Sequence, residues 1–183
     1  MIGTQTKKTR FATTNIALIS IFSALWIALN LTVAPLGFRL LGLPVIHSVI
    51  IFFTLLLVVW ATGQYGVASS VGIIGSIIVL LAGGPLPVLG FAAASLLFDI
   101  MLVANHHRLT MKPYSLAIAV LATMVCSYFA GVVNGIFFIP NMGLAFAVTI
   151  WGSWTIAGGI IGFAITLPII GALERAHVKK VKS

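Results

Sequence analysis

The chain has 183 residues, 61% hydrophobic and only 7% charged, with mean hydropathy +1.21, which excludes a water-soluble globular domain. Ten Lys+Arg against two Asp+Glu give a net charge of +8, but the cations cluster at the two ends and in one internal stretch. Phosphate tracking needs a solvated face of interleaved cations, so no nucleic-acid partner is expected. The single cysteine, Cys126, lies in an apolar run and can form neither an internal disulfide nor a thiolate metal site.

A bilayer core of roughly 30 Å asks for about 20 apolar residues per helix. Six uncharged runs satisfy this, at about 15–34, 43–62, 65–81, 86–105, 114–139 and 144–167. Turn chemistry separates them: Pro35 and Gly37, then Gly63, then Gly83, Gly84 and Pro85, then the polar stretch 106–113, then Pro140, Asn141 and Gly143. The reading is an all-α membrane protein, one bundle of six transmembrane helices in a single domain, with basic tails at 1–14 and 173–183. The first run follows Lys7, Lys8 and Arg10 and could be taken for a signal peptide, but its apolar core is longer than such a segment and Pro35 would follow the cut.

With a cytoplasmic N-terminus, six spans put Lys7, Lys8, Arg10, Arg108, Lys112, Arg175, Lys179, Lys180 and Lys182 inside, nine of the ten cations, and leave Arg39 alone outside. Both termini are therefore expected in the cytoplasm of a cell-membrane protein. The same cations can also hold anionic lipid.

Little here can catalyse. Intramembrane chemistry needs paired groups of matched pKa or a nucleophile beside a base. Asp99 is the one charge inside a span, and neither a zinc-protease histidine pair nor a Gly-x-Ser-Gly nucleophile is present. No catalytic residue, metal site or cofactor is expected. Asp99 precedes Asn105 by six residues, about 9 Å along a helix. It either is held at the inner interface by bundle contacts or couples protons, and His106, seven positions on, could partner it. Neighbouring His106 and His107 point about 100° apart on a helix and could not both grip one metal from there.

The opposite side collects Asn30, Arg39, His47, Asn134, Asn141, Trp151 and Trp154. Trp151 and Trp154 with Thr155, Gly158 and Gly162 follow helical spacing, placing two indoles and a small-residue groove on one face. They form either a membrane-interface aromatic belt or a stacking wall for a flat heterocycle. Arg39 either holds an anionic substituent or anchors to lipid headgroups. Asn30, Arg39, His47, Asn134, Trp151 and Trp154 are the candidate substrate-binding residues. The segments Pro35-Leu36-Gly37-Phe38 and Pro87-Val88-Leu89-Gly90-Phe91 are loosely alike. In the first span Ser20, Ala24 and Ala28 recur every four residues as a small ridge, with Trp26 and Asn30 on nearly the opposite face. The ridge packs either inside the bundle or against another subunit.

With its size, six spans, both ends inside and the opening Ile16-Ala17-Leu18-Ile19-Ser20-Ile21-Phe22-Ser23-Ala24-Leu25, the chain resembles the membrane-embedded S components of energy-coupling factor (ECF) vitamin transporters over nearly its whole length. The first helix looks like the family's Ala-x-x-x-Ala contact helix, read either as Ser20 and Ala24 or as Ala24 and Ala28. Leu43-Pro44-Val45-Ile46-His47 and Gly63-Gln64-Tyr65-Gly66 are similar to the family's second and third helices, in particular to members associated with thiamine or its precursors. Metal-ion members begin with a Met-His pair, whereas this chain begins Met1-Ile2. The resemblance implies a non-enzymatic capture subunit that takes a small water-soluble vitamin or precursor near the outer face, under the loop joining helices one and two. Its partners would be a transmembrane coupling subunit and two cytoplasmic ATPases. A small channel or an unrelated secondary transporter is the alternative.

Overall fold

The computed structural model describes residues 13–42, 44–138 and 143–176; the basic residues 7, 8, 10, 179, 180 and 182, and Asn141, lie outside them. Among the described residues six helices cross the bundle. They are α1 (Thr13–Leu41), α2 (Val45–Thr62), α3 (Val67–Leu81), α4 (Val88–Leu102, continued by a 3-10 turn Val103–Asn105), α5 (Pro113–Phe138) and α6 (Gly143–Arg175). All but the 15-residue α3 are long and apolar enough to cross a membrane. The molecule is an all-helical, multi-pass bundle.

Two prolines that read as breaks or ends lie within helices. α1 runs through Pro35 to Leu41, and α6 runs through Pro168 to Arg175, eight residues beyond the expected limit at 167. Proline removes one backbone donor, and in a long apolar helix the remaining ladder and tertiary packing outweigh that loss. Gly37 also serves packing and no turn: a Cβ there would run into the Ile46 side chain, so glycine lets α1 and the start of α2 approach closely. Consequently Arg39 sits in the last turn of α1, not in a loop.

The helices close a ring in the order α1, α2, α6, α5, α4, α3, with α2 the most buried. Lipid tails are as apolar as leucine, so close packing of small residues joins the helices. Gly158 and Gly162 of α6 lie against the carbonyls of Val45 and Val49 in α2, Gly72 of α3 against Ser95 of α4, and Gly75 of α3 against the ring of Trp26 in α1. Hydroxyls inside the bundle donate one turn back, Thr54 to Ile50 (2.8 Å), Thr123 to Ala119 (2.7 Å) and Thr166 to Gly162 (2.7 Å), which satisfies them without water. Along α1 the buried positions are Asn15, Ile19, Ser23, Trp26, Asn30, Ala34 and Gly37, a single stripe at helical spacing. Ser20, Ala24 and Ala28 lie off that stripe and are exposed.

One end of the bundle holds the start of α1 and the end of α6. There Asp99, fully buried in α4, accepts hydrogen bonds from the amide (2.7 Å) and hydroxyl (2.5 Å) of Ser69 in the first turn of α3. A carboxylate thus caps a helix N-terminus from a neighbouring helix. Its histidine neighbour is His107 rather than His106. Both histidines adopt left-handed backbone (φ 48° and 54°), which folds the chain back after the 3-10 turn and brings His107 Nε2 to the Asp99 carbonyl (2.8 Å) and within 3.9 Å of its carboxylate. Helical spacing pointed to His106 because it assumed that α4 continued. At this same end Trp60 donates to Glu174 (3.1 Å), and Asn15 donates to Gln64.

Candidate functional site

The other end is built from the last turns of α1, α3 and α5 and the first turns of α2, α4 and α6. Positions 30, 34 and 38 of α1 share a face and present Asn30, Ala34 and Phe38 inward, with Arg39 beside them. α2 contributes His47 from its first turn, α4 contributes Phe91, and α5 contributes Asn134. In α6 the stretch Ala147–Trp151 is π-helical, and this local widening turns Trp151 into the bundle.

These groups surround two adjoining cavities, one of about 40 Å³ and one of about 390 Å³, which share Ala34, Phe38 and His47. The smaller also touches Phe91, Asn134 and Trp151; the larger touches Asn30, Arg39 and the turn Ala82–Pro85. Aromatic planes make the walls. His47 stacks on Phe91 with centroids 4.7 Å apart and planes 7° from parallel, and Trp151 meets Phe38 at 6.4 Å and Phe146 at 6.1 Å.

Polar atoms in this lining are left without protein partners. Asn30 (5% exposed) donates its Nδ2 to the Trp26 carbonyl at 3.1 Å, which fixes the amide and leaves Oδ1 unpaired. Asn134 (2% exposed) sits over Gly90 of α4, where any Cβ would strike its Oδ1, and that oxygen too is unpaired. His47 Nε2 is the third such atom. A buried polar atom without a partner is costly, and three residues carrying one, from three helices, sit in the lining of the cavity pair, His47 in both cavities, where a bound molecule would gain by supplying hydrogen bonds.

Of the candidates read from the sequence, Asn30, Arg39, His47, Asn134 and Trp151 line the two cavities. Trp154 is not in either lining and is 43% exposed on the outside of α6. Trp151, Thr155, Gly158 and Gly162 do share one buried face at regular helical spacing, but Trp154, three residues after Trp151, lies at its edge and turns outward, and the glycines are filled by α2 rather than left as a groove. Phe38 and Phe91 were missed as cavity residues although a signal existed. The two loosely similar Pro…Gly-Phe segments deliver their phenylalanines to the same cavity.

The fold defines a polytopic helical membrane protein with an end-on cavity of largely apolar and aromatic walls. In comparisons with known proteins no family model matches the chain, and neither a curated protein nor a solved structure does.

Proposed function

We propose that this chain is the substrate-capture subunit of an importer, of the kind its sequence resembles, the ECF-type S components. The single observation that carries the reading is the cavity pair at one end, lined by Asn30, His47 and Asn134, each of which carries a buried polar atom without a protein partner. Below that cavity the bundle is filled by packed side chains of α2, among them Phe52, Leu55, Leu56 and Val58, all at most 1% exposed. A cavity closed beneath by close-packed helices binds a molecule rather than conducting one, which favours capture over a channel. The charge count adds an orientation: with nine of ten cations on the cytoplasmic side, both termini are inside the cell membrane and the cavity faces outward. The ligand is a small flat water-soluble molecule of the vitamin or precursor class, and the chain itself performs no catalysis.

Delivery then needs a partner, a transmembrane coupling subunit with two cytoplasmic ATPases. The exposed ridge Ser20, Ala24 and Ala28 suits that contact, because small residues admit a second helix closely and, among the described residues, no other helix covers them. Enlarging Ala24→Leu tests the reading. ATP-driven uptake by cells expressing the full system should fall to background while the purified subunit keeps its ligand affinity within about threefold. Unimpaired uptake by this variant would remove the ridge from the coupling contact.

A further inference from the structure

The cavity pair is chemically one-sided. The whole chain contains two carboxylates, Asp99 and Glu174, and both sit at the opposite end, one capping α3 and the other receiving the Trp60 indole. In the lining of either cavity the one permanently charged side chain is Arg39. Aromatic walls alone would also suit a cation, by attraction to ring faces. Here a guanidinium beside the walls, with no carboxylate to offset it, turns the balance against cations and toward anions. The unpaired atoms give the other half of the code. Asn30 Oδ1 and Asn134 Oδ1 are unpaired acceptors, so a group that pairs with either donates an N–H or O–H bond; His47 Nε2 is a donor or an acceptor according to its tautomer. The two kinds of partner are also separated in space. Asn134 belongs to the smaller cavity, while Arg39 lines the larger one, nine residues or about 14 Å of helix beyond Asn30.

We infer that the cavity pair takes a single-ring, amino-substituted aromatic or heteroaromatic acid. Its amino donors face Asn134 and Asn30, its ring lies among Phe38, His47 and Trp151, and its anionic group meets Arg39. The inference rests on the capture reading of the same cavity and narrows it: a cationic molecule, including one with a positively charged ring, is selected against.

An isosteric series tests it directly: 4-aminobenzoate, 4-aminobenzamide and 4-aminobenzamidine differ essentially in charge, and benzoate lacks the amino donor. Each is titrated calorimetrically into the full chain in lipid nanodiscs. The acid should bind about tenfold more tightly than the amide and about a hundredfold more tightly than the amidine, and benzoate should be about tenfold weaker than 4-aminobenzoate. Arg39→Gln should bring the acid down to the amide. An amidine that binds as well as the acid overturns the inference, and so does the absence of heat from all four. If all four bind alike and Asn134→Leu weakens them together, the cavity is the site and the charge and donor assignments are wrong. Binding indifferent to both Asn134→Leu and His47→Phe overturns the capture reading along with the inference.

Discussion

The imidazole of His47 lies parallel to the ring of Phe91, 4.7 Å away, and so joins the first turn of α2 to the first turn of α4 in the wall of the smaller cavity. The stack orients the ring while Nε2 stays unpaired. Replacing His47→Phe keeps the stacked plane and removes the unpaired nitrogen. Leaving such a group buried costs about 1 to 3 kcal/mol, so the variant is expected to unfold at the same or a higher temperature than the parent. Binding of 4-aminobenzoate should weaken about tenfold or more. Thermal unfolding and titration on one preparation check both, and a variant less stable but equally tight would assign His47 to packing.

The two indoles of α6 are expected to separate cleanly. Trp151→Ala removes a nearly buried plane from the cavity wall and should lower affinity by about ten- to a hundredfold, corresponding to roughly 1 to 3 kcal/mol of burial and stacking. Trp154→Ala, on the exposed face, should leave affinity unchanged. Tryptophan quenching by ligand should likewise vanish in the first variant and persist in the second.

At the far end, Asp99→Asn replaces a carboxylate that accepts two bonds from Ser69. Charge-assisted hydrogen bonds contribute about 1.5 to 3 kcal/mol, so the variant should be destabilised by about 2 kcal/mol with ligand affinity unchanged. Ser69→Ala should be partly redundant with it, a double-mutant cycle giving a coupling of about 1 kcal/mol. Additive effects would show that the two side chains act separately.

The helices were legible because uncharged runs of membrane length leave few other options: a helix lies at each of the six runs, five of them long and apolar enough to cross a membrane, with α1 and α6 running seven and eight residues past the expected ends. What the sequence concealed were places where local chemistry has two outcomes. Pro35 and Pro168 read as breaks, yet long helices carry them because packing outweighs one lost backbone bond. His106 and His107 looked helical in register, but both are left-handed, and that reversal, invisible to periodicity, selects His107 as the neighbour of Asp99. The cavity was half legible. Polar residues far from the charged end could be counted, so Asn30, His47 and Asn134 stood out, whereas Phe38 and Phe91 disappear among twelve phenylalanines. Trp154 was indistinguishable from Trp151 because residues three apart on a helix lie only about 60° from each other, and periodicity does not say which of the two sits at the edge of the buried face.

The central claim is that the end-on cavity captures the ligand. Its most direct test is calorimetric titration of 4-aminobenzoate into the parent, Asn134→Leu and Asp99→Asn proteins. The account predicts that Asp99→Asn binds within about threefold of the parent while Asn134→Leu loses about tenfold or more, since a buried acceptor is removed from the wall. Parent-like binding by Asn134→Leu, together with loss of binding in Asp99→Asn, would contradict it and move the site to the opposite end of the bundle.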